Sequence, residues 1–236
     1  MMKAMTSRPD DVRSLLLELT ERIGSISDRS VANLRRLRRE YSRRLSDIDP
    51  ESMLLLTSQL RVTRVVHRFF SDELIANHRG VMRRLTRPDL DIIGVGMDSW
   101  DQVDCFATIV AGPAWRSRRI VDADVKDWAQ SNDRWWRRAA LVCTTRLNVS
   151  GTRGDPQRTL AVCKILIDDN DDMIVKAMSW ALRALAKRNP QSVLTFIERY
   201  RARLAPRVVR EVSNKLRTGL KTPRPTKKRE TENGKK

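Results

Sequence analysis

Long apolar runs are absent from this 236-residue chain. No stretch approaches the length of about 18 consecutive apolar residues that marks a membrane-spanning helix. The first residues carry no apolar signal-peptide core, so a soluble protein of a reducing compartment is expected. Cysteine is scarce: Cys105, Cys143 and Cys163 cannot build a disulfide framework and read as small buried thiols. Histidine is scarcer still. His67 and His78 stand eleven residues apart, no Cys-x-x-Cys occurs, and a structural zinc site has no ligand set, so neither metal nor cofactor is expected. Both histidines read as surface or helix-end residues. Glycine and proline number nine each, few for this length. The sole Asn-Gly pair, Asn233-Gly234, lies near the C-terminus, and strict alternation over six residues is hard to find, so hairpins have little support.

What is abundant is positive charge. Basic residues number 47 against 29 acidic ones, a net charge of +18. Charge of this size and sign points to a polyanionic partner. Arginine dominates, with 36 Arg to 11 Lys, and the guanidinium fork binds two phosphate oxygens at once. Residues 221–236 carry seven basic and two acidic side chains with Pro223 and Pro225, and read as a basic disordered tail. The preceding 1–220 are read as one domain. Its apolar content (40% of the whole chain) suffices for a packed core.

The periodicity is helical throughout. Val31, Leu34, Leu37 and Leu45 recur at helical spacing within an Arg-rich segment, and Ile174, Val175, Met178, Leu182 and Leu185 do so further on. Asp49-Pro50, Asp155-Pro156 and Asn189-Pro190 each predict an N-cap followed by Pro at the first helical position. Ser71-Asp72-Glu73 and Asp98-Ser99 predict further starts, and Gly112-Pro113 and Gly151 to Gly154 predict breaks. Ten to twelve helices of about 12–20 residues with short connections follow from this reading. Antiparallel pairs of such helices stack into an all-α, HEAT/armadillo-like right-handed solenoid, with a compact bundle as the alternative.

Three segments carry candidate chemistry. In Ser99-Trp100-Asp101-Gln102-Val103-Asp104, Trp100 and Asp104 lie four apart on one helix face. An indole beside a carboxylate suits a cation. On spacing alone the plainer account is preferred, a half-buried core Trp beside a solvated Asp. In Asn132-Asp133-Arg134-Trp135-Trp136-Arg137-Arg138-Ala139-Ala140, either of the first two residues can cap a helix and the alanines permit close packing. Arg137 and Arg138 cannot both face the core, which leaves one or both for phosphate or as a plain surface pair. In the third, Lys176, Trp180 and Arg183 share one face. That pattern fits a nucleic-acid surface, or a core Trp flanked by snorkelling cations. Trp115 and Trp128 read as packing residues. Asp168, Asp169, Asp171 and Asp172 read as a capping loop before the next helix.

Taken in order, these segments resemble the AlkD-type DNA alkylation repair glycosylases. The resemblance runs over roughly residues 55–218 and includes Trp128 to Asn132 and Asn189-Pro190. It implies a HEAT-like solenoid whose basic face binds duplex DNA. The implied activity is hydrolysis of the N-glycosidic bond of cationic N3- or N7-alkylated purines in base excision repair. It implies no metal and no flipping of the base. Catalytic roles carry over to Trp100, Asp104 and Trp180, and DNA-contacting roles to Arg138 and Arg183, with Lys176 and Arg137 beside them. A cytoplasmic, nucleoid-associated monomer acting on alkylated duplex DNA is the expectation. The sequence departs from the pattern at Ser99, where relatives often carry a second aromatic. It departs again at Gly24-Ser25-Ile26, which lacks the aromatics usual before the Arg-rich helix. Tyr41 is the nearest aromatic there. The rival functions are a noncatalytic scaffold for DNA or branched nucleic acid, and a protein-interaction solenoid whose basic charge serves an acidic partner.

Overall fold

The computed structural model describes residues 9–222, and these are helical with no strand among them. The helices are α1 (Pro9–Gly24), α2 (Val31–Arg44), α3 (Pro50–Thr63), α4 (Phe69–Asn77), α5 (Arg79–Arg84), α6 (Arg87–Gly94) and α7 (Trp100–Cys105). A π-helical segment (Phe106–Ala111) runs directly from α7 into α8 (Gly112–Arg116). Then come α9 (Asp122–Ala129), α10 (Arg134–Thr144) with a 3-10 turn (Thr145–Leu147), α11 (Pro156–Ile165), α12 (Asp172–Ala186), α13 (Pro190–Tyr200) and α14 (Pro206–Thr218).

The helices stack in two layers. A front row runs α2, α4, the α7–π–α8 rod, α10, α12 and α14, each packed on the next. A back row contains α1, α3, α5, α9, α11 and α13, and covers the front row from behind. Each front helix buries its apolar stripe between the layers. On α12 that stripe is Ile174, Ala177, Met178, Ala181, Leu182 and Leu185, all nearly inaccessible to solvent. Burying one such Leu or Ile contributes about 1.5–3 kcal/mol. Ala139 and Ala140 of α10 are fully buried and let neighbouring helices approach.

The predicted caps form. Asp49, Asp155 and Asn189 accept from the backbone N–H of Ser52, Arg158 and Ser192, with Pro50, Pro156 and Pro190 beginning the helices. Asp133, one of the two candidates, caps α10 through the Trp135 N–H. Such caps contribute about 1 kcal/mol each. Gly151 and Gly154, at φ 79° and 76°, form the turn before α11.

Three expectations need correction. Gly112-Pro113 does not break the chain. It sits inside the continuous 100–116 rod, where the π segment shifts the hydrogen-bond register just ahead of a proline that has no N–H to donate. Ser71-Asp72-Glu73 starts no helix: α4 begins at Phe69, and Asp72 lies fully buried against Arg61 of α3, Nη2 to Oδ1 3.2 Å. The helices are also shorter than predicted, with α5, α7 and α8 at five or six residues. Of the expected basic tail, residues 223–236 lie outside the described residues.

Candidate active site

Ser99, in extended conformation, precedes α7, and Trp100 is its first residue. Trp100 is 57% exposed although most of the other tryptophans pack inward. Trp115 and Trp128 are buried, as packing residues should be. Asp104 follows one turn after Trp100 on the same face. Its carboxylate meets Arg138 of α10 in a two-pronged pair: Nε donates to Oδ1 at 2.9 Å and Nη2 to Oδ2 at 2.9 Å. Arg138 Nη1 donates to the Met173 carbonyl in the first turn of α12 at 2.6 Å. One arginine thus joins three consecutive members of the front row.

Arg138 is only 5% exposed, so it is not the surface cation that the sequence offered to phosphate. Its partner stands 34 residues away, beyond what helical spacing reveals. Burial pushes the Asp104 carboxyl above its usual range, the Arg138 guanidinium opposes that shift, and the Asp101 charge adds to it. A bidentate pair at this depth fixes the carboxylate in place. Each carboxylate oxygen keeps a second lone pair for a substrate group or water.

An aromatic cluster supports this corner. Phe106, in the π segment, contacts Trp128 and Trp136 edge-on at 6.0 and 5.7 Å, and the two indoles lie 5.3 Å apart. Gly94 lies under Trp136, where a Cβ would come within 2.2 Å of the ring. Trp128 Nε1 donates to Asp91 at 3.0 Å, with the Arg87 guanidinium 5.0 Å from its ring centroid.

The remaining candidates divide. Trp180 is half-buried on α12, two turns beyond Met173, and no hydrogen bond or ring contact joins it to Trp100 or Asp104 among the described residues. Arg183 Nε donates to Ser179 Oγ at 3.2 Å, and Ser179 Oγ donates to the buried Glu211 of α14 at 2.6 Å. Burial pushes the Arg183 pKa down, with Glu211 opposing. Lys176 is exposed and pairs with Asp172 at 2.6 Å. Arg137 spends its guanidinium on Asp169 (2.8 Å) and on the Ser131 and Asn132 carbonyls (3.1 and 2.8 Å), so it holds the loop before α10. The acidic loop acts as a cap and a pairing station. Asp171 caps α12 through the Met173 N–H, and Asp168 pairs with Arg203. Among the described residues no group of three or more His, Cys, Asp or Glu could hold a metal ion. Tyr41 is buried, its hydroxyl donating to Glu18 at 2.7 Å.

His67 is the exposed, helix-end residue that its sequence context suggests, but its partner comes from another helix. Its Nδ1 accepts from the Phe69 N–H at 3.2 Å, so Nε2 carries the proton and donates to Asp101 Oδ2 at 2.6 Å. The adjacent Arg68 donates to the Ile93 and Val95 carbonyls, tying down the segment that leads into α7. No spacing rule links residues 67 and 101. A cleft of about 780 Å³ opens here, lined by Arg61, Arg64, Arg68 and His67 on one side and Val95 and Gln102 on the other.

A family model described as DNA alkylation repair enzyme matches residues 90–216, from within α6 to within α14. The chain belongs to this family. No curated protein matches it. As a DNA alkylation repair enzyme it takes DNA as substrate, and every site residue expected from the sequence lies within the matched span, while His67 lies before it. Helices α1 to α5, including the Arg-rich α2, fall outside the match. No helix among the described residues is long and apolar enough to cross a membrane.

Proposed function

We propose that this DNA alkylation repair enzyme is a monofunctional DNA glycosylase. Its substrate class is duplex DNA bearing cationic N3- or N7-alkylated purines, the lesion staying in the stack. The observation that carries the reading is the Asp104 carboxylate, locked by Arg138 one turn from the exposed indole of Trp100.

An alkylated purine of this kind already carries positive charge. When the C1′–N bond breaks, both bonding electrons go to the base, which leaves neutral and needs no general acid. The sugar becomes cationic. Asp104 supplies the opposing charge at a fixed position, where it costs no reorganisation during the reaction. Trp100 offers a ring face to the same cation, and Trp180 on α12 is assigned a second one. Water adds at C1′, and Asp104 takes up its proton. A carboxyl pushed above its usual range is better suited to that acceptance. Arg183 and Lys176 supply positive charge to the flanking backbone, while Arg138 serves Asp104 and the α12 backbone. The protein is assigned to the cytoplasm with the nucleoid, as a monomer.

The test is single-turnover release of 7-methylguanine from a duplex by wild type and by Asp104→Asn. Release by wild type, with a loss of at least about a hundredfold in the variant, supports the reading. Salt-sensitive duplex binding without release by wild type would make the protein a noncatalytic DNA scaffold.

A further inference from the structure

At the C-terminal ends of three front-row elements, α8, α10 and α12, positive charge is left bare. Arg116 ends α8, Arg146 lies in the 3-10 turn after α10, and Arg188 follows α12; Lys187 directly precedes Arg188, and Arg153 directly precedes Gly154, which lies against Arg188. None of these five side chains forms an ion pair or hydrogen bond among the described residues. The Nε atoms of Arg146 and Arg188 are buried without a partner. α8 packs on the 3-10 turn and that turn packs on α12, so Arg116, Arg146 and Arg188 belong to, or directly follow, three elements packed in succession.

The backbone makes room for these side chains. A Cβ on Gly112 would stand 2.7 Å from Arg146 Cγ, and one on Gly154 would stand 2.6 Å from Arg188 Cβ. Gly112 of the rod and Gly154 of the turn before α11 therefore seat the two arginine stems. Burial and the charge of Arg116 both push the Arg146 pKa down, so these two guanidiniums repel each other. Interaction with helix C-termini returns about 0.3–1 kcal/mol per cation and does not call for bare guanidiniums on successive elements.

We propose that these arginines form a second contact strip for the DNA phosphate backbone, separate from the Trp100–Asp104 corner. Residues 104 and 116 are twelve apart on one rod, roughly 18 Å at the helical rise. That exceeds the widths of both grooves, about 6 and 12 Å, so the strip meets a different stretch of backbone from the one at the lesion. Guanidiniums suit the partner because each offers two donors to a phosphate. The proposal rests on DNA being the partner but not on catalysis.

The experiment measures the salt dependence of binding to an undamaged duplex, using the full chain. The triple variant Arg116→Gln, Arg146→Gln, Arg188→Gln keeps most of each stem over the glycines. Each lost phosphate contact flattens the log–log slope by about 0.9, so a slope flatter by about 2–3 is expected. Arg153→Gln with Lys187→Gln removes two exposed charges with no packing role and should flatten it by about 1–2, which covers the case of a misfolded triple variant. Slopes equal to wild type in a folded triple variant and in the double variant overturn the proposal. Steep binding that the variants flatten, in a protein that releases no base, would keep the strip and remove the glycosylase reading.

Discussion

Around α10 the two ends of the front helices handle arginine in opposite ways, whereas at the C-terminal end of α2 Arg44 pairs with Glu18. At the N-terminal ends, Arg137 and Arg138 each meet a carboxylate and at least one backbone carbonyl, and Arg134 pairs with Asp171 at 3.3 Å. At the C-terminal ends, Arg116, Arg146 and Arg188 meet none among the described residues. The same side chain is a strut at one end and an uncompensated charge at the other. A net charge of +18 therefore says little about where a polyanion sits. The charge available to phosphate is what remains after internal pairing.

The sharpest way to break this contrast is Arg138→Ala. It leaves the Asp104 carboxylate facing the space vacated by its buried partner, and a loss of about 3–5 kcal/mol is expected in denaturant unfolding. A loss under about 1 kcal/mol would mean that the paired end is no strut. Next in size is Gly112→Ala at the bare end. Its Cβ would lie 2.6 Å from the Ala107 carbonyl oxygen and close to the Arg146 stem, so about 1–3 kcal/mol should be lost by the same measurement.

His78 tests pairing of a different kind. Its Nδ1 accepts from the Val81 N–H at 3.1 Å, so Nε2 carries the proton and donates to the Ile48 carbonyl at 3.0 Å, which requires the neutral ring. Burial pushes its pKa below the usual 6.5. The unfolded chain then binds the proton more readily, so the stability this site contributes is present above about pH 6.5 and lost as pH falls below it. His78→Gln should flatten that part of the stability–pH curve.

For catalysis, the acid limb of base release should fall above the ordinary carboxylate range, because the Asp104 pKa is raised. The ionised form is present above that value and lost as pH drops through it. An acid limb at the ordinary value would remove Asp104 as the titrating group. The smallest stability effect belongs to Arg153→Gln with Lys187→Gln, within about 0.5 kcal/mol, since both side chains are exposed and unpaired. A larger loss would show that the bare end does structural work.

Much of the fold was legible locally. Caps at Asp49, Asp155 and Asn189 lie within three residues of the groups they satisfy, and the apolar stripe of α12 follows from its period. The position of Trp100 and Asp104 on one face followed from their spacing. Illegible were features whose partners come from another helix. Asp72 looked like a helix start because Arg61, which buries it, is on α3. His67 is a surface residue, as its sequence context suggests, but its pairing was illegible because Asp101 is 34 positions away. Gly112-Pro113 looked like a break because a π segment leaves no mark in residue spacing.

The sequence by itself determined an all-helical chain, the capped starts of several helices, an excess of arginine and the family pattern around Trp100 and Asp104. Only the tertiary structure decided which arginines are consumed and which stay bare. Capping and i, i+4 spacing act within a turn, whereas the partner of an arginine is set by which helix packs beside it. That choice placed Asp104 opposite Arg138 and no carboxylate opposite Arg146.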